Sequence, residues 1–333
     1  MRTFIQQVPD GINIQKASSG YGLFASKLFL KGTVLYMGKQ IEIPNTHNSF
    51  NLITNQGTFL LDTETHSVQF SPHLRWLYLF DSFMNHSCQP TTISHQTNEQ
   101  RERGEYSTIA LQDIHPGQEI TCDYNLFEYD CQGKTINVCM CETEKCIGYV
   151  RGFKYLPKEY QKECIQYVEN EVLQSMTENN SNFHYISRLD CPSTVSIIYD
   201  KGCYKLVALQ DFSTHDVIYT NTSLLLPKEV EIVVCIENEY DEYKKIWLSH
   251  EHHTVTRDNG IEYFGFDTFQ NHSCDPNTTM TYLDTNYTYN VIAKKNIIKG
   301  DELTIDYSTF APRTYIPFEC HCQSNHCKGL IFY

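Results

Sequence analysis

Apolar residues along this chain come in short stretches rather than long helical stripes. Gly22 to Lys27, Gly32 to Ile43, Tyr106 to Ala110 and Val217 to Leu226 are rich in β-branched and aromatic residues and are punctuated by Gly, Pro and Asn. Such residues fit a pleated, half-buried surface, so each stretch predicts a strand. One segment reads differently. From Pro157 to Met176, the residues Tyr160, Cys164, Val168, Val172 and Met176 step by four and would share one face of a helix, with Pro157 in its first turn. Thr177 to Asn182, with three Asn, reads as a loop, and a second domain is expected to begin near Phe183. The pattern therefore predicts an antiparallel-rich, mainly β protein with few helices. Its expected parts are residues 1–155, a helical linker over 156–182, and residues 183–333.

The sequence is also internally repeated. Phe83-Met84-Asn85-His86-Ser87-Cys88-Gln89-Pro90 returns as Phe269-Gln270-Asn271-His272-Ser273-Cys274-Asp275-Pro276. Gly117-Gln118-Glu119-Ile120-Thr121-Cys122-Asp123-Tyr124 returns as Gly300-Asp301-Glu302-Leu303-Thr304-Ile305-Asp306-Tyr307, and Cys139-Met140-Cys141 with Cys146 as Cys320-His321-Cys322 with Cys327. Three motifs in the same order at nearly constant offset are a duplication, and a duplication organises everything else.

Composition narrows the chemistry. The chain has 333 residues, enough for two domains that each bury a core. Its longest apolar runs, Ser223 to Pro227 and Glu231 to Ile236, are far shorter than the roughly 20 residues of a membrane span, and Met1 to Asp10 has no signal-peptide core. An intracellular protein, cytoplasmic or nuclear, with no membrane partner is expected. Of 14 Cys, six fall in the two CxCx4C clusters, which favours metal thiolates over disulfides. Cys122, Cys131, Cys164, Cys191, Cys203 and Cys235 read as ordinary buried residues. The net charge of −14 argues against direct nucleic-acid binding and suits a basic partner. Most of that acidity lies after residue 155, with Glu229, Glu231, Glu237, Glu239, Asp241 and Glu242 as its densest run, either a docking face or simply a solvated one.

Structural zinc takes four tetrahedral N or S ligands, and Cys139, Cys141 and Cys146 supply three at loop spacing. From the residues alone the fourth stays open, with His321, His326 and Cys131 as competitors.

Taken together, Asn-His-Ser-Cys-x-Pro, Glu-Ile/Leu-Thr-x-Asp-Tyr and CxCx4C, each present twice, resemble the SET family of lysine methyltransferases with its post-SET zinc module. The resemblance covers essentially both halves. It implies two SET-type β-clip domains, in which the Asn-His and Asp-Tyr segments meet through a threaded crossing. It also implies two zinc ions, one on Cys88, Cys139, Cys141 and Cys146 and one on Cys274, Cys320, Cys322 and Cys327. The implied cofactor is S-adenosylmethionine. A lone GxG usually marks only a turn, but Gly20-Tyr21-Gly22 stands where the family uses such a loop, so Gly20, Tyr21, Gly22, Asn85 and His86 are the implied cofactor contacts.

The resemblance assigns the reaction to Tyr124, and to Tyr307 if the second domain is active. A lysine amine, of ordinary pKa about 10.4, must lose its proton before it can attack, and a narrow apolar channel favours the neutral form. Orienting the reactants then lowers the barrier by roughly 7 to 11 kcal/mol. In many relatives a Tyr or Phe two residues earlier tunes how many methyl groups are added; here Cys122 and Ile305 stand there, implying room for a second or third methyl. The second copy has Cys203-Tyr204-Lys205 where the first has Gly20-Tyr21-Gly22, so it is expected to be degenerate. The resulting expectation is an S-adenosylmethionine-dependent methyltransferase acting through the N-terminal domain on a basic, lysine-containing protein or peptide, a histone among the candidates. The alternatives are a silent, zinc-stabilised acidic scaffold and a methyltransferase of a peptide or small molecule.

Overall fold

The computed structural model describes residues 2–17, 20–46, 49–69, 73–131, 135–237, 243–283, 286–309 and 317–331. Glu239, Asp241 and Glu242 of the acidic run lie outside the described residues, as does the side chain of Glu237. The chain is mainly β and divides into two compact units, Met1–Leu173 and Gln174–Tyr333. Among the described residues no helix is long and apolar enough to cross a membrane.

In the first unit the sheet that matters most has four strands. Ile12–Ala17 and Gly20–Ala25 form a hairpin, Gly20–Ala25 pairs antiparallel with Glu119–Cys122, and Glu119–Cys122 pairs in parallel with the short strand Asn85–His86. This register sets Asn85 beside Thr121 and His86 beside Cys122, bringing together segments that are more than 30 residues apart in sequence. A second sheet orders Thr92–His95, Glu105–Ala110 and Val34–Lys39. Two further three-stranded sheets complete the unit around a core that includes Ile12, Leu23, Phe50, Leu52, Leu77, Phe80, Ile114 and Ile120, all nearly inaccessible. Burying side chains of this size stabilises by about 1.5 to 3 kcal/mol each before the cost of ordering them.

The second unit repeats the plan. Val195–Asp200 and Cys203–Ala208 form the equivalent hairpin, and Asn271–His272 lies parallel to Thr304–Ile305. Val217–Thr222, Thr288–Ala293 and Thr278–Tyr282 form the counterpart of the second sheet. The hairpins align the copies residue by residue. Ile14 faces Leu23 as Ile197 faces Leu206, so Cys203, Tyr204 and Lys205 occupy the positions of Gly20, Tyr21 and Gly22.

Three sequence expectations are revised. Gly32 to Ile43 is two strands, Val34–Lys39 and Ile41–Pro44, in different sheets, because the chain turns at Gln40, whose N–H bonds to the Gly104 carbonyl. Val217 to Leu226 breaks in the same way at Ser223. The helix expected from Pro157 to Met176 is also interrupted. Lys158–Cys164 is helical with Pro157 as its N-cap, Ile165–Tyr167 is a 3-10 turn, Val168 is extended, and Asn170–Asn179 is a second helix that takes in Thr177 to Asn179, expected to be loop. The break follows burial: Val168 and Leu173 are fully inaccessible, and β-branched residues gain little from helix in Cys164-Ile165-Gln166-Tyr167-Val168. The Asn180–Asn182 turn is real, Asn180 Oδ1 accepting from Asn182 N at 3.0 Å, and the strand Phe183–Ile186 follows directly.

Candidate active site and metal centres

In both units four thiols converge. The Sγ atoms of Cys88, Cys139, Cys141 and Cys146 lie within 4.8 Å of one another, as do those of Cys274, Cys320, Cys322 and Cys327. Cys88 and Cys139 are 3.8 Å apart, Cys274 and Cys320 3.7 Å. A tetrahedron of bonds about 2.3 Å long has an edge of about 3.8 Å, so both groups suit zinc. His321, His326 and Cys131 belong to neither group. His321 is an exposed side chain 3.9 Å from Glu319, and Cys131 is buried elsewhere, its N–H on the Arg151 carbonyl.

Next to the first thiol group stands His86. Its Nε2 is 3.3 Å from Cys88 Sγ, and its Nδ1 accepts the Tyr124 N–H at 3.2 Å. Burial lowers the His86 pKa, against the opposing pull of the Asp123 carboxylate, so the ring is held neutral and able to accept. The Tyr124 ring centroid lies 5.4 Å from that of His86, and the Tyr124 hydroxyl donates to the Met84 carbonyl at 2.6 Å. Burial raises the Tyr124 pKa well above its ordinary value, so the phenol stays protonated. With its proton committed to Met84, the oxygen retains lone pairs for whatever enters.

The glycine loop meets this group through Asn85. Its amide donates to the Tyr21 carbonyl at 3.3 Å and to Glu119 Oε1 at 2.7 Å. Gly22 makes the approach possible, since a Cβ there would stand 2.5 Å from Glu119 Oε1 and 3.0 Å from Asn85 Nδ2. Gly20 has φ +118° and open space where a side chain would project. Tyr21 packs edge-on to Phe59 and Phe83. All the expected first-unit residues, Gly20, Tyr21, Gly22, Asn85, His86, Cys88 and Tyr124, therefore join one continuous arrangement.

The second unit keeps half of this geometry. Tyr307 donates its N–H to His272 Nδ1 at 3.1 Å and its hydroxyl to the Gln270 carbonyl at 2.8 Å; Asn271 donates to the Tyr204 carbonyl at 3.0 Å and to Glu302 at 2.9 Å. At the position of Gly22, however, Lys205 extends an ammonium to Asp200 at 2.9 Å and to Glu302 Oε2 at 3.6 Å. A cationic side chain is thus tied to the carboxylate that in the first unit faces empty glycine.

These two arrangements match a known one. The SET domain family model matches residues 20–125 and 203–308, well over half the chain. The chain belongs to the SET-domain family. Both matches begin at equivalent positions, Gly20 and Cys203. Histone-lysine N-methyltransferase NSD3 of Mus musculus is 30% identical over 153 residues, which is 43% of this chain and 10% of that protein. Histone-lysine N-methyltransferase ash1 of Drosophila melanogaster is 35% identical over 109 residues, 29% of this chain and 5% of its own. Histone-lysine N-methyltransferase SUVR5 of Arabidopsis thaliana is 26% identical over 147 residues, 39% and 11%. The chain thus spans about a tenth or less of the curated relatives it matches.

Sequence reasoning missed three parts of the SET site. Glu119 lay in a repeated motif, and its recurrence as Glu302 was the available signal. Asn125 bridges the fully buried Asp123 to the post-SET segment: its amide donates to Asp123 Oδ1 at 2.9 Å and its oxygen accepts from Arg151 and Gly152 N–H. Tyr160, read as a packing residue of the linker, donates its hydroxyl to Asp123 Oδ2 at 2.9 Å. Nothing in the spacing pointed to that bond, because the two residues belong to different motifs.

Proposed function

We propose that the first unit is an S-adenosylmethionine-dependent protein lysine methyltransferase and that the second is a degenerate copy. The observation that carries this reading is the contrast at one position, Gly22, whose bare backbone lets Glu119 and Asn85 pack directly against it, against ion-paired Lys205, in sites otherwise built alike. The open space beside Gly20 suits a bulky ligand lying against the strand, with Tyr21, Asn85 and His86 around it, while Gly22 lets Glu119 and Asn85 close in on the backbone. S-adenosylmethionine, when bound, supplies a methyl group activated on a sulfonium. The chain's own residues do the rest. Tyr124, kept protonated by burial and donating to Met84, offers its oxygen to orient an incoming amine. His86 fixes the Tyr124 backbone through Nδ1, and Asp123, held by Asn125 and Tyr160, sits 3.6 Å from the same ring nitrogen. Enclosure favours the neutral amine by penalising its charged form, and fixed orientation supplies most of the rate.

In this reading Cys88 and Cys274 are the fourth zinc ligands and tie each post-SET loop to its Asn-His strand. The catalytic domain is residues 1–155 with the connector helix contributing Tyr160, and the second domain is 183–333. The substrate is a basic lysine-containing protein, which the histone-lysine methyltransferase relatives and the charge of −14 support, a histone being the first to try. Radiolabelled methyl transfer to core histones tests it, with wild type, Tyr124→Phe and Tyr307→Phe. Labelling should be lost only with Tyr124→Phe; retention in that variant, or loss with Tyr307→Phe, overturns the division of labour.

A further inference from the structure

One buried group in the first unit has no part in the site described so far. Asp81 lies in the 3-10 turn Leu79–Phe83, whose end carries the Met84 carbonyl that receives the Tyr124 hydroxyl. Its Oδ1 accepts from the Tyr36 hydroxyl and its Oδ2 from the Tyr106 hydroxyl at 2.5 Å. Both phenols are buried. Among the described residues no cation is bonded to this carboxylate. An enclosed anion without a cationic partner is costly, and proteins rarely carry one without a use.

The duplication shows what makes Asp81 different. Asp267 takes its place in the second unit, with Tyr219 and Tyr289 as its two phenols. There a third donor closes the set: the Asn221 amide reaches Asp267 Oδ2 at 3.0 Å and the Tyr289 hydroxyl at 3.1 Å. In the strand register Asn221 faces Tyr289 as Gly38 faces Tyr106, so Gly38 is the equivalent position, with no side chain to donate. Asp267 is only 6% exposed, whereas Asp81 retains partly exposed surface.

We propose that Asp81 is the counter-charge for the substrate nitrogen, binding a primary or methylated alkylammonium that enters beside Tyr124, and that Asp267, its donor set completed by Asn221, has no such role. This rests on the methyltransferase reading for its substrate but not for its site. A lysine nitrogen is cationic when it arrives and again after methylation, so a fixed carboxylate favours both docking and product. The same field holds the amine's proton more firmly, so turnover should go on rising with pH after docking is complete.

Burial raises the Asp81 pKa from the ordinary carboxylate range to about 6, against the lowering by the Tyr106 and Tyr36 hydroxyls. A raised carboxylate pKa means the anion is present above about 6 and lost below it. The groups facing Asp81 are Tyr36 from strand Val34–Lys39, Tyr106 from Glu105–Ala110, Cys122 from Glu119–Cys122, and Tyr78 and Tyr124. Burial pushes every one of these upward, so all are neutral across that interval. Four carboxylates stand behind them: Glu169, ion-paired to Arg101, and Glu128, both near Tyr78; Asp123 near Cys122; and Glu119, near Tyr124 and bonded to Asn85.

The test uses the full chain with S-adenosylhomocysteine present and n-butylammonium chloride as the probe, against sodium chloride at equal ionic strength. Carboxyl carbon resonances of Asp81 and Asp267, assigned with Asp81→Asn and Asp267→Asn, are followed with pH. The Asp81 midpoint should fall by about one pH unit with the ammonium, as an opposite charge a few ångströms away requires, while Asp267 stays put. An unmoved Asp81, or equal shifts at both, overturns the proposal. With core histones, Asp81→Asn should raise KM about tenfold, leave S-adenosylmethionine affinity within about twofold, and abolish the rise in KM that wild type shows below about pH 6. An unchanged KM, or a loss of cofactor affinity, likewise overturns it. Wild type that labels no protein while Asp81 still responds to the ammonium would sink the methyltransferase reading and leave this one standing.

Discussion

The two SET units carry the same Asn-His strand, the same tyrosine in the same hydrogen bonds and the same four thiols, yet differ at positions where the first copy has glycine and the second a side chain, two of which bear on the site. Gly22 against Lys205 decides whether the glutamate bonded to the asparagine packs on bare backbone or pairs with a cation; Gly38 against Asn221 decides whether an enclosed aspartate is left with two donors or three. The four-thiol groups and the tyrosine hydrogen bonds recur in both units. What differs is the polar partner: Lys205 adds a cation to Glu302, and Asn221 adds a third donor to Asp267.

That contrast can be broken most forcefully at Tyr124. Tyr124→Phe should reduce labelling of histones at least about hundredfold, and Tyr307→Phe by less than twofold, measured on equal amounts of folded chain. Metal removal should act on both units alike. Metal analysis should return two zinc ions per chain, and a chelator should lower the melting temperature and collapse both compact units, because the metal-thiolate bonds that join each cysteine loop to its Asn-His strand would be lost. Finding one zinc, or unfolding of only one unit, would show the copies to be less alike than their thiols suggest. At Tyr160 the effect should be smaller and one-sided. Tyr160→Phe leaves the buried Asp123 one donor short, at about 1 to 3 kcal/mol of stability in the first unit only, read by denaturant titration.

Much of this was written in the chain. The recurrence of three motifs gave the duplication, the CxCx4C clusters gave three thiols of each converging group, and the loss of both glycines in Cys203-Tyr204-Lys205 flagged the second copy. The connector helix was legible only as an apolar face, and its break at Val168 was not, because tertiary burial outweighs a continuous four-residue period. Asp81 was invisible for a related reason. Its partners Tyr36 and Tyr106 lie 45 and 25 residues away on other strands, and no local pattern links them. Lys205 could be read as a lost glycine but not as one half of an ion pair, since Glu302 comes from another strand region altogether.

The finest difference concerns Cys122. It is 5% exposed and sits beside His86, with a thiol far smaller than a phenol, so products should include dimethyl-lysine or trimethyl-lysine; Cys122→Tyr should shift them toward monomethyl by a few fold, read by mass spectrometry. A wild type that yields only monomethyl-lysine would contradict this.

The most direct test of the whole comparison is the number of S-adenosylmethionine molecules the full chain binds, measured by calorimetry for wild type and for Gly22→Lys. One site per chain, lost when the lysine of the second copy is placed in the first, is the predicted result. Two sites, or one that survives Gly22→Lys, would contradict it.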